Sequence, residues 1–378
     1  MDRLELSVEA NKCKQKILIL RGSSQYVSPK TYNVQEIGLA KALVRLGWKV
    51  LIISSGPKEL TMKLDENIDW IELERKGKTI GWPQGSLRII EQFQPDIIQC
   101  QDITNPATYQ ALISKIKLGT PLVFSLGEYK TNGHIKSLFT KITAKAIKNH
   151  VSAVLCKTKS SMEFSNSLGL SSNFYAPVGI DENVYVRREN LDDWWINEIE
   201  NRRNNGEYIL CHVGRLDKHD NIEFIFKIMK NLPKKFTLVL IGEPKSYANK
   251  LIDDDIKDRV IVTGAVPNKY IGIALSNSDL YLACSEYEIF GMSAAESIFH
   301  GCPVLGYSTG GIREIIQHET NGWLLSRREP NEWATMINKL FNTDQISHAK
   351  RGCAETGKSL TWNSRATVYN QIYRDVLR

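Results

Sequence analysis

Two glutamates, Glu288 and Glu296, stand in the stretch SEYEIFGMSAAESIFHGCPVLGYSTGGIRE, which runs from Ser285 to Glu314. The residues from about Gly291 to His300 read as a helix, with small Ser293, Ala294 and Ala295 letting its first turn approach another group and Gly301 suited to the C′ position. Glu288 then falls in the loop before the helix and Glu296 in its second turn, roughly 8 to 12 Å away along the axis. That span suits hydroxyl-bearing groups at both ends, because carboxylates accept hydrogen bonds from paired hydroxyls. The amides of Phe290, Gly291 and Met292, free at a helix start, are expected to point toward bound oxygens. Two glutamates alone would read as solvated helix-end acids. Here strand, loop, helix, Gly-Cys-Pro strand start and Gly-Gly turn follow one another in order.

Two further elements belong with this stretch. The Gly310-Gly311 turn follows the strand PVLGYS and opens a helix expected over Ile312 to Gln317, so its amides are candidates for a phosphate, with a plain tight turn as the equal alternative. The segment VGRLDKHDNIEF, Val213 to Phe224, follows the strand YILCH and carries Gly214 and Arg215.

Together these residues resemble the nucleotide-sugar signature of GT-B fold glycosyltransferases of the retaining, family-4 type (glycosyltransferase group 1). The resemblance implies a nucleotide-sugar donor, UDP- or GDP-linked, with Glu288 on hydroxyls of the donor sugar and Glu296 on the ribose. Arg215 would neutralise the diphosphate as charge develops on the leaving nucleotide. Gly214, Phe290, Gly291, Met292, Gly310 and Gly311 would complete the donor site. Where the family has a lysine five residues after the arginine, this chain has Asp220, so that Lys218 or His219 substitutes, the donor is held differently, or activity is lost. The family also often places a histidine near the end of the strand that reads PLVFSLGEY, where this chain has Gly127. The neighbouring Glu128 is a candidate base or hydroxyl-binding group, with an ordinary strand-end acid as the alternative and Asp102 a weaker counterpart. Retention at the anomeric carbon is implied by the resemblance alone.

The acceptor side falls to the first half. After its first strand come Gly22, Ser23, Tyr32, Asn33 and Gln35, candidates for acceptor contacts, with helix capping the alternative for Asn33. No G-x-G-x-x-G is present there, which argues against a dinucleotide oxidoreductase. From Lys115 to Lys159 there are nine lysines and a single acid, Glu128. Within that run HIKSLFTKITAKAIKNH puts Leu138, Phe139, Ile142 and Ala146 on one helical face and Lys141, Lys145 and Lys148 beside it. Such a helix lies on an anionic membrane surface, or else covers the sheet and leaves its lysines in water. The cations are not interleaved with aromatics, so nucleic acid is not expected as a partner.

The elements that must position these residues alternate short aliphatic runs with amphipathic segments of helical length, giving an α/β class. Strands are expected at KILIL, KVLIIS, DIIQC, PLVFS and AVLCK in the first half, and at YILCHVG, FTLVLIG, VIVTGAV, LYLACSE and PVLGYS in the second. A helix is expected from Asn33 to Leu46, closed by Gly47. The arrangement expected is two Rossmann-like, doubly wound parallel sheets facing a cleft, with residues 1–178 on the acceptor side and 179–361 on the nucleotide-sugar side, and the resemblance implies that a helix over 362–378 crosses back to the first domain.

The bulk numbers agree with two domains: 378 residues, 42% hydrophobic and 24% charged. Up to Pro177 there are 24 Lys/Arg against 15 Asp/Glu, and beyond it 25 against 27, so the basic character belongs to the first half. Seven scattered cysteines form no C-x-x-C pair, which favours a reducing cytoplasm over a disulfide frame or zinc knuckle. Neither a secretory leader nor a run of about 18 apolar residues is seen, so the chain is expected to be cytoplasmic, at most peripheral at the inner membrane face. No cofactor or metal is expected, since the Asp253-Asp254-Asp255 run reads as a solvated turn. The function read from these residues is retaining transfer of a hexose-type sugar to a hydroxyl of a glycan or lipid-linked acceptor in surface polysaccharide or glycoconjugate synthesis. A non-catalytic partner subunit, a GT-B nucleotide-sugar epimerase and a sugar-phosphate-using transferase are the alternatives.

Overall fold

The computed structural model describes residues 14–22, 29, 34–76, 82–83, 85–103, 107–131, 133–185, 193–217 and 222–378, without the side chains of 75–76 and 82–83. The first half forms one sheet from β1 (Gln15–Arg21), β2 (Trp48–Gly56), β3 (Leu60–Asp65), β4 (Ile68–Lys76), β5 (Trp82–Pro83), β6 (Ile97–Gln101), β7 (Leu122–Leu126), β8 (Val151–Cys156) and β9 (Asn173–Tyr175). Its order is β3-β4-β2-β1-β6-β7-β8-β9, with β5 paired to β4. The second half forms a sheet from β10 (Tyr208–Val213), β11 (Phe236–Ile241), β12 (Val260–Gly264), β13 (Leu280–Ala283), β14 (Val304–Tyr307) and β15 (Gly322–Leu325), ordered β12-β11-β10-β13-β14-β15. Every pairing in the second sheet is parallel.

Central strands of both sheets are near-continuous apolar runs because helices cover both faces. In β1, Ile17 and Ile19 face one core while Leu18 and Leu20 face another. In the second sheet Ile209, Cys211 and Val213 point to one side and Leu210, Leu238 and Leu240 to the other. Five strands go beyond the sequence-based expectation, among them the two-residue β5 paired to β4. β3 and β4 form an antiparallel hairpin at the sheet edge, where β3 is mostly exposed and its LTMKLD alternation looks like surface. β9 is three residues long and β15 four, too short to stand out beside their flanks.

Residues 179–181 and 360–362 run side by side where the chain passes between the sheets. Ile180 N donates to Leu360 O at 2.8 Å and Trp362 N to Ile180 O at 2.9 Å. A Cβ on Gly179 would fall 2.6 Å from Trp362 N, so only glycine permits this approach. The helix Trp362–Val376 that follows is capped by Thr361, whose Oγ1 accepts from Ser364 N. It lies on the first sheet: Tyr369 Oη donates to Ala176 O at 2.8 Å, Trp48 Nε1 donates to Asn370 Oδ1 at 2.8 Å, and Tyr373 bonds Gln99. One apolar core therefore runs through both halves at this helix.

The helix His134–Ile147 sits with Thr140, Thr143, Ala144 and Ile147 buried. Its most apolar face points outward, with Ile135 88%, Leu138 61%, Phe139 39% and Ile142 56% exposed. Lys141, Lys145 and Lys148 are exposed around that face. The helix thus covers the sheet and leaves its lysines in water, but it does so through Ala144 and Ile147 and not through the Leu138, Phe139 and Ile142 face. Tyr109 of the helix Ala107–Leu118 lies 3.0 Å, Oη to Oγ1, from Thr143, and that helix exposes Ile113 and Ile116 as well.

Candidate active site

β13 delivers the chain into the loop that carries Glu288, and the helix Met292–Phe299 follows. Gly291 is its N-cap, with a left-handed φ of 91° and so little room that a Cβ would come 2.5 Å from Ile312 Cδ1. Glu288 Oε1 accepts from Gly291 N at 3.0 Å and Phe290 N at 3.4 Å. These two amides, expected to face bound oxygens, instead fix the Glu288 carboxylate at the positive end of the helix. Met292 opens the helix behind them.

The Gly310-Gly311 turn presses against the same loop. A Cβ on Gly310 would lie 1.7 Å from Glu288 O, and one on Gly311 would lie 2.5 Å from Phe290 Cα. The two glycines are thus required by backbone-to-backbone contact, which the tight-turn alternative already contains. The helix after them is short, Ile312–Ile315, because Gln317 N turns to Asn321 Oδ1 at 2.8 Å.

A cavity of about 120 Å³ opens beside Glu288 and is lined by Gly214, Gly291 and Ser293 together with His212 and Tyr281. The last two were not singled out from the sequence, although a polar residue one step from the end of the apolar run YILCHV is the available signal. Tyr281 Oη donates to Val213 O at 3.0 Å, and burial holds its phenol well above the usual range. His212 Nδ1 stands 2.9 Å from Leu282 O, and a carbonyl only accepts, so Nδ1 carries the proton.

Glu296 is elsewhere. It is 0% exposed, and its Oε1 accepts from Tyr185 Oη at 2.9 Å, so the structure brings Glu288 but not Glu296 to the cavity wall. Tyr185 stands on the connection after Ile180 and meets His300 edge-on, ring centroids 4.5 Å apart. Arg215 follows β10, is 66% exposed and lies 3.7 Å from Asp217 Oδ2. Lys218, His219 and Asp220 lie outside the described residues.

On the facing side, Gly22 follows β1 and Gln35 begins the helix Gln35–Arg45, while Ser23, Tyr32 and Asn33 lie outside the described residues. Gln35 lines a small polar cavity at the strand ends with Glu36, Gln99 and Lys157, whose ammonium is held below its ordinary pKa by burial, with Glu36 opposing. Glu128 pairs with Lys136 at 2.7 Å. Gly127 backs onto the donor loop, and a Cβ there would meet Ile289 Cγ2 at 2.8 Å and Lys157 Cδ at 3.1 Å. Asp102 has a left-handed φ of 70°, and its Oδ1 accepts from Ile103 N at 2.5 Å. Asp253 pairs with Lys230 and Asp254 with Lys257. Among the described residues no group of three His, Cys, Asp or Glu gathers as metal ligands.

These positions can be set beside known proteins. Residues 16–158 match the family model described as Glycosyl transferase 4-like, and residues 195–358 match Glycosyl transferases group 1. The N-acetyl-alpha-D-glucosaminyl L-malate synthase of Bacillus anthracis is 29% identical over 211 residues, which span 53% of this chain and 52% of that relative. An uncharacterized glycosyltransferase of Methanocaldococcus jannaschii is 24% identical over 89% of this chain and 92% of its own length. Among solved structures, sucrose-phosphate synthase from Thermosynechococcus elongatus superposes with a TM-score of 0.77 at 17% identity, covering 96% of this chain and 99% of that one. Anabaena HepE in complex with UDP-glucose gives 0.72 at 19%, covering 95% and 98%. These likenesses show the GT-B fold, with two α/β domains each built on a largely parallel sheet. With both halves matched by their own family model and the fold shared along the whole chain, the protein belongs to the group 1 glycosyltransferases of the family-4 type.

Proposed function

We propose that the chain transfers a hexose-type sugar from a UDP- or GDP-linked donor to a hydroxyl of a glycan or lipid-linked acceptor, with retention at the anomeric carbon. The observation that carries this reading is the cavity at the start of the helix Met292–Phe299, where Glu288 is held in the wall by two backbone amides. A carboxylate fixed in this way accepts hydrogen bonds from sugar hydroxyls without first paying for its own ordering. Arg215, 66% exposed beyond the end of β10, can meet a diphosphate as negative charge grows on the departing nucleotide. Gly310 and Gly311 hold their turn against the loop that carries Glu288. The acceptor enters from the first half, where Glu128, Gln35 and Gly22 stand. HepE, a structural neighbour, binds UDP-glucose, and the Bacillus relative is named for a glucosaminyl product; both agree with a nucleotide-sugar donor.

The outward face of the helix His134–Ile147 supports a site of action at a membrane. Exposed leucine, isoleucine and phenylalanine beside Lys141, Lys145 and Lys148 suit the boundary of an anionic bilayer, in keeping with a lipid-linked acceptor and with work at the cytoplasmic face in surface polysaccharide or glycoconjugate synthesis. No metal or cofactor enters this reading. A second reading, a glycosyltransferase-like partner subunit without turnover, is favoured by Gly127, where Ile289 and Lys157 fill the space a histidine side chain would need. A panel of nucleotides and nucleotide sugars in a thermal-shift assay, followed by donor hydrolysis, separates the two. Stabilisation with turnover supports the transferase, and no response to any nucleotide refutes it.

A further inference from the structure

The donor cavity is built by the second half of the chain, and the first half meets it along a narrow seam. At one end Gly127 backs onto Ile289, and at the other Lys159 N donates to Glu314 Oε1 at 2.6 Å. Between these contacts Tyr129 and Tyr287 pair across the cleft, ring centroids 4.9 Å apart and planes tilted by 31°. Lys130 Nζ lies 4.9 Å from the Tyr287 centroid and 5.9 Å from that of Tyr129. Tilted aromatic pairs attract, and an ammonium over a ring face adds to the attraction.

The places of these rings in the chain matter as much as their contact. Tyr129 directly follows Glu128 and Tyr287 directly precedes Glu288, so the ring pair brings together the chain segments that carry the two carboxylates. Burial raises the Tyr287 phenol to about 12, and Glu128, Tyr129, Glu288 and Asp102 push in the same direction, which marks acids of both halves gathered around one ring. The Tyr129 ring also rests on the Gly310 turn, Cε1 being 3.1 Å from the point a Cβ of Gly310 would occupy.

We propose that Tyr129, Tyr287 and Lys130 form a latch that holds the cleft shut, and that Tyr129 is a positioning residue which sets Glu128 beside Glu288. The positioning role rests on the transferase reading above; the latch does not. The Tyr129 hydroxyl is buried without a hydrogen-bond partner among the described residues, so the ring carries the effect. Loss of the ring shifts the closed-to-open ratio roughly ten-fold.

Small-angle scattering of the full chain without ligand tests the latch in wild type, Tyr129→Phe, Tyr129→Ala, Tyr287→Ala and the double alanine variant. Both single alanine variants should scatter with a larger radius of gyration than wild type, the double no larger than either, and Tyr129→Phe like wild type. A Tyr129→Ala protein as compact as wild type, a double variant that opens further than the singles, or an open Tyr129→Phe overturns the latch. In donor hydrolysis Tyr129→Ala should lose roughly ten-fold in kcat at unchanged UDP affinity, with Tyr129→Phe restoring the rate. An unchanged kcat overturns the positioning role. A wild type that binds no nucleotide refutes the transferase reading and leaves the scattering to judge the latch.

Discussion

Lowering the pH should unsettle the second half of the molecule from the end of the Met292–Phe299 helix, through His300. Its imidazole is wedged between Tyr185, 4.5 Å away centroid to centroid, and the helix that holds Gly272, where a Cβ would come 2.3 Å from Cε1. Burial lowers its pKa from 6.5 to about 4, because the imidazolium would lose its hydration there. The unfolded chain binds this proton near pH 6.5 and the folded chain only near 4, so between those values the unfolded state holds more protons. The contribution is therefore complete above 6.5 and is lost as pH falls through the interval. An interval of about 2.5 pH units corresponds to about 3 kcal/mol at its acid end. The assay is chemical unfolding of wild type and His300→Gln at pH 7, 5.5 and 4.5. Carboxylates titrate in both proteins alike, so the gap between them isolates the imidazole. That gap should narrow, or invert, by about 2 to 3 kcal/mol on going from pH 7 to 4.5. A gap constant with pH would refute the argument that burial keeps His300 neutral.

Removing the Tyr185 hydroxyl takes a donor from a fully buried carboxylate, so Tyr185→Phe should cost about 2 kcal/mol and lower the melting temperature by several degrees; an unchanged Tm would contradict it. Gly310→Ala must move either its own backbone or Glu288 O, 1.7 Å from the new methyl, and should cost about 2 kcal/mol or more together with the response to nucleotide, read by thermal shift. Leu138→Asp and Ile142→Asp alter exposed positions, so Tm should hold within about a degree while sedimentation with phosphatidylglycerol vesicles is lost; equal sedimentation would remove this helix from the membrane reading.

The doubly wound sheets were legible because strands buried on both faces are written as unbroken aliphatic runs, as in KILIL and FTLVLI. The edge hairpin was not, since LTMKLD meets water on most of its length and its pairing depends on β4 rather than on its own composition. At the site, the loop carrying Glu288, the helix after it and the Gly-Gly turn could be read from order and spacing alone. Glu296 shows the limit of that reading. Helical periodicity put it in the second turn, where it is, but the direction of its carboxylate is set by Tyr185, more than 100 residues earlier in the chain. His212 and Tyr281 escaped for a similar reason: each looks like an ordinary strand residue until the neighbouring strand and helix show which end of it borders a cavity. The outward turn of Leu138, Phe139 and Ile142 was one of two readings of a single amphipathic pattern, and it is Ala144 and Ile147 that join the core of the sheet instead.

Calorimetric titration of UDP-glucose and GDP-mannose into wild type and Glu288→Gln addresses the donor site without needing an acceptor. One of the two should bind wild type saturably and lose roughly ten- to a hundred-fold in affinity in the variant, as expected for hydrogen bonds to a charged group. Equal affinity in both proteins, or no binding to wild type by either donor, would contradict the account.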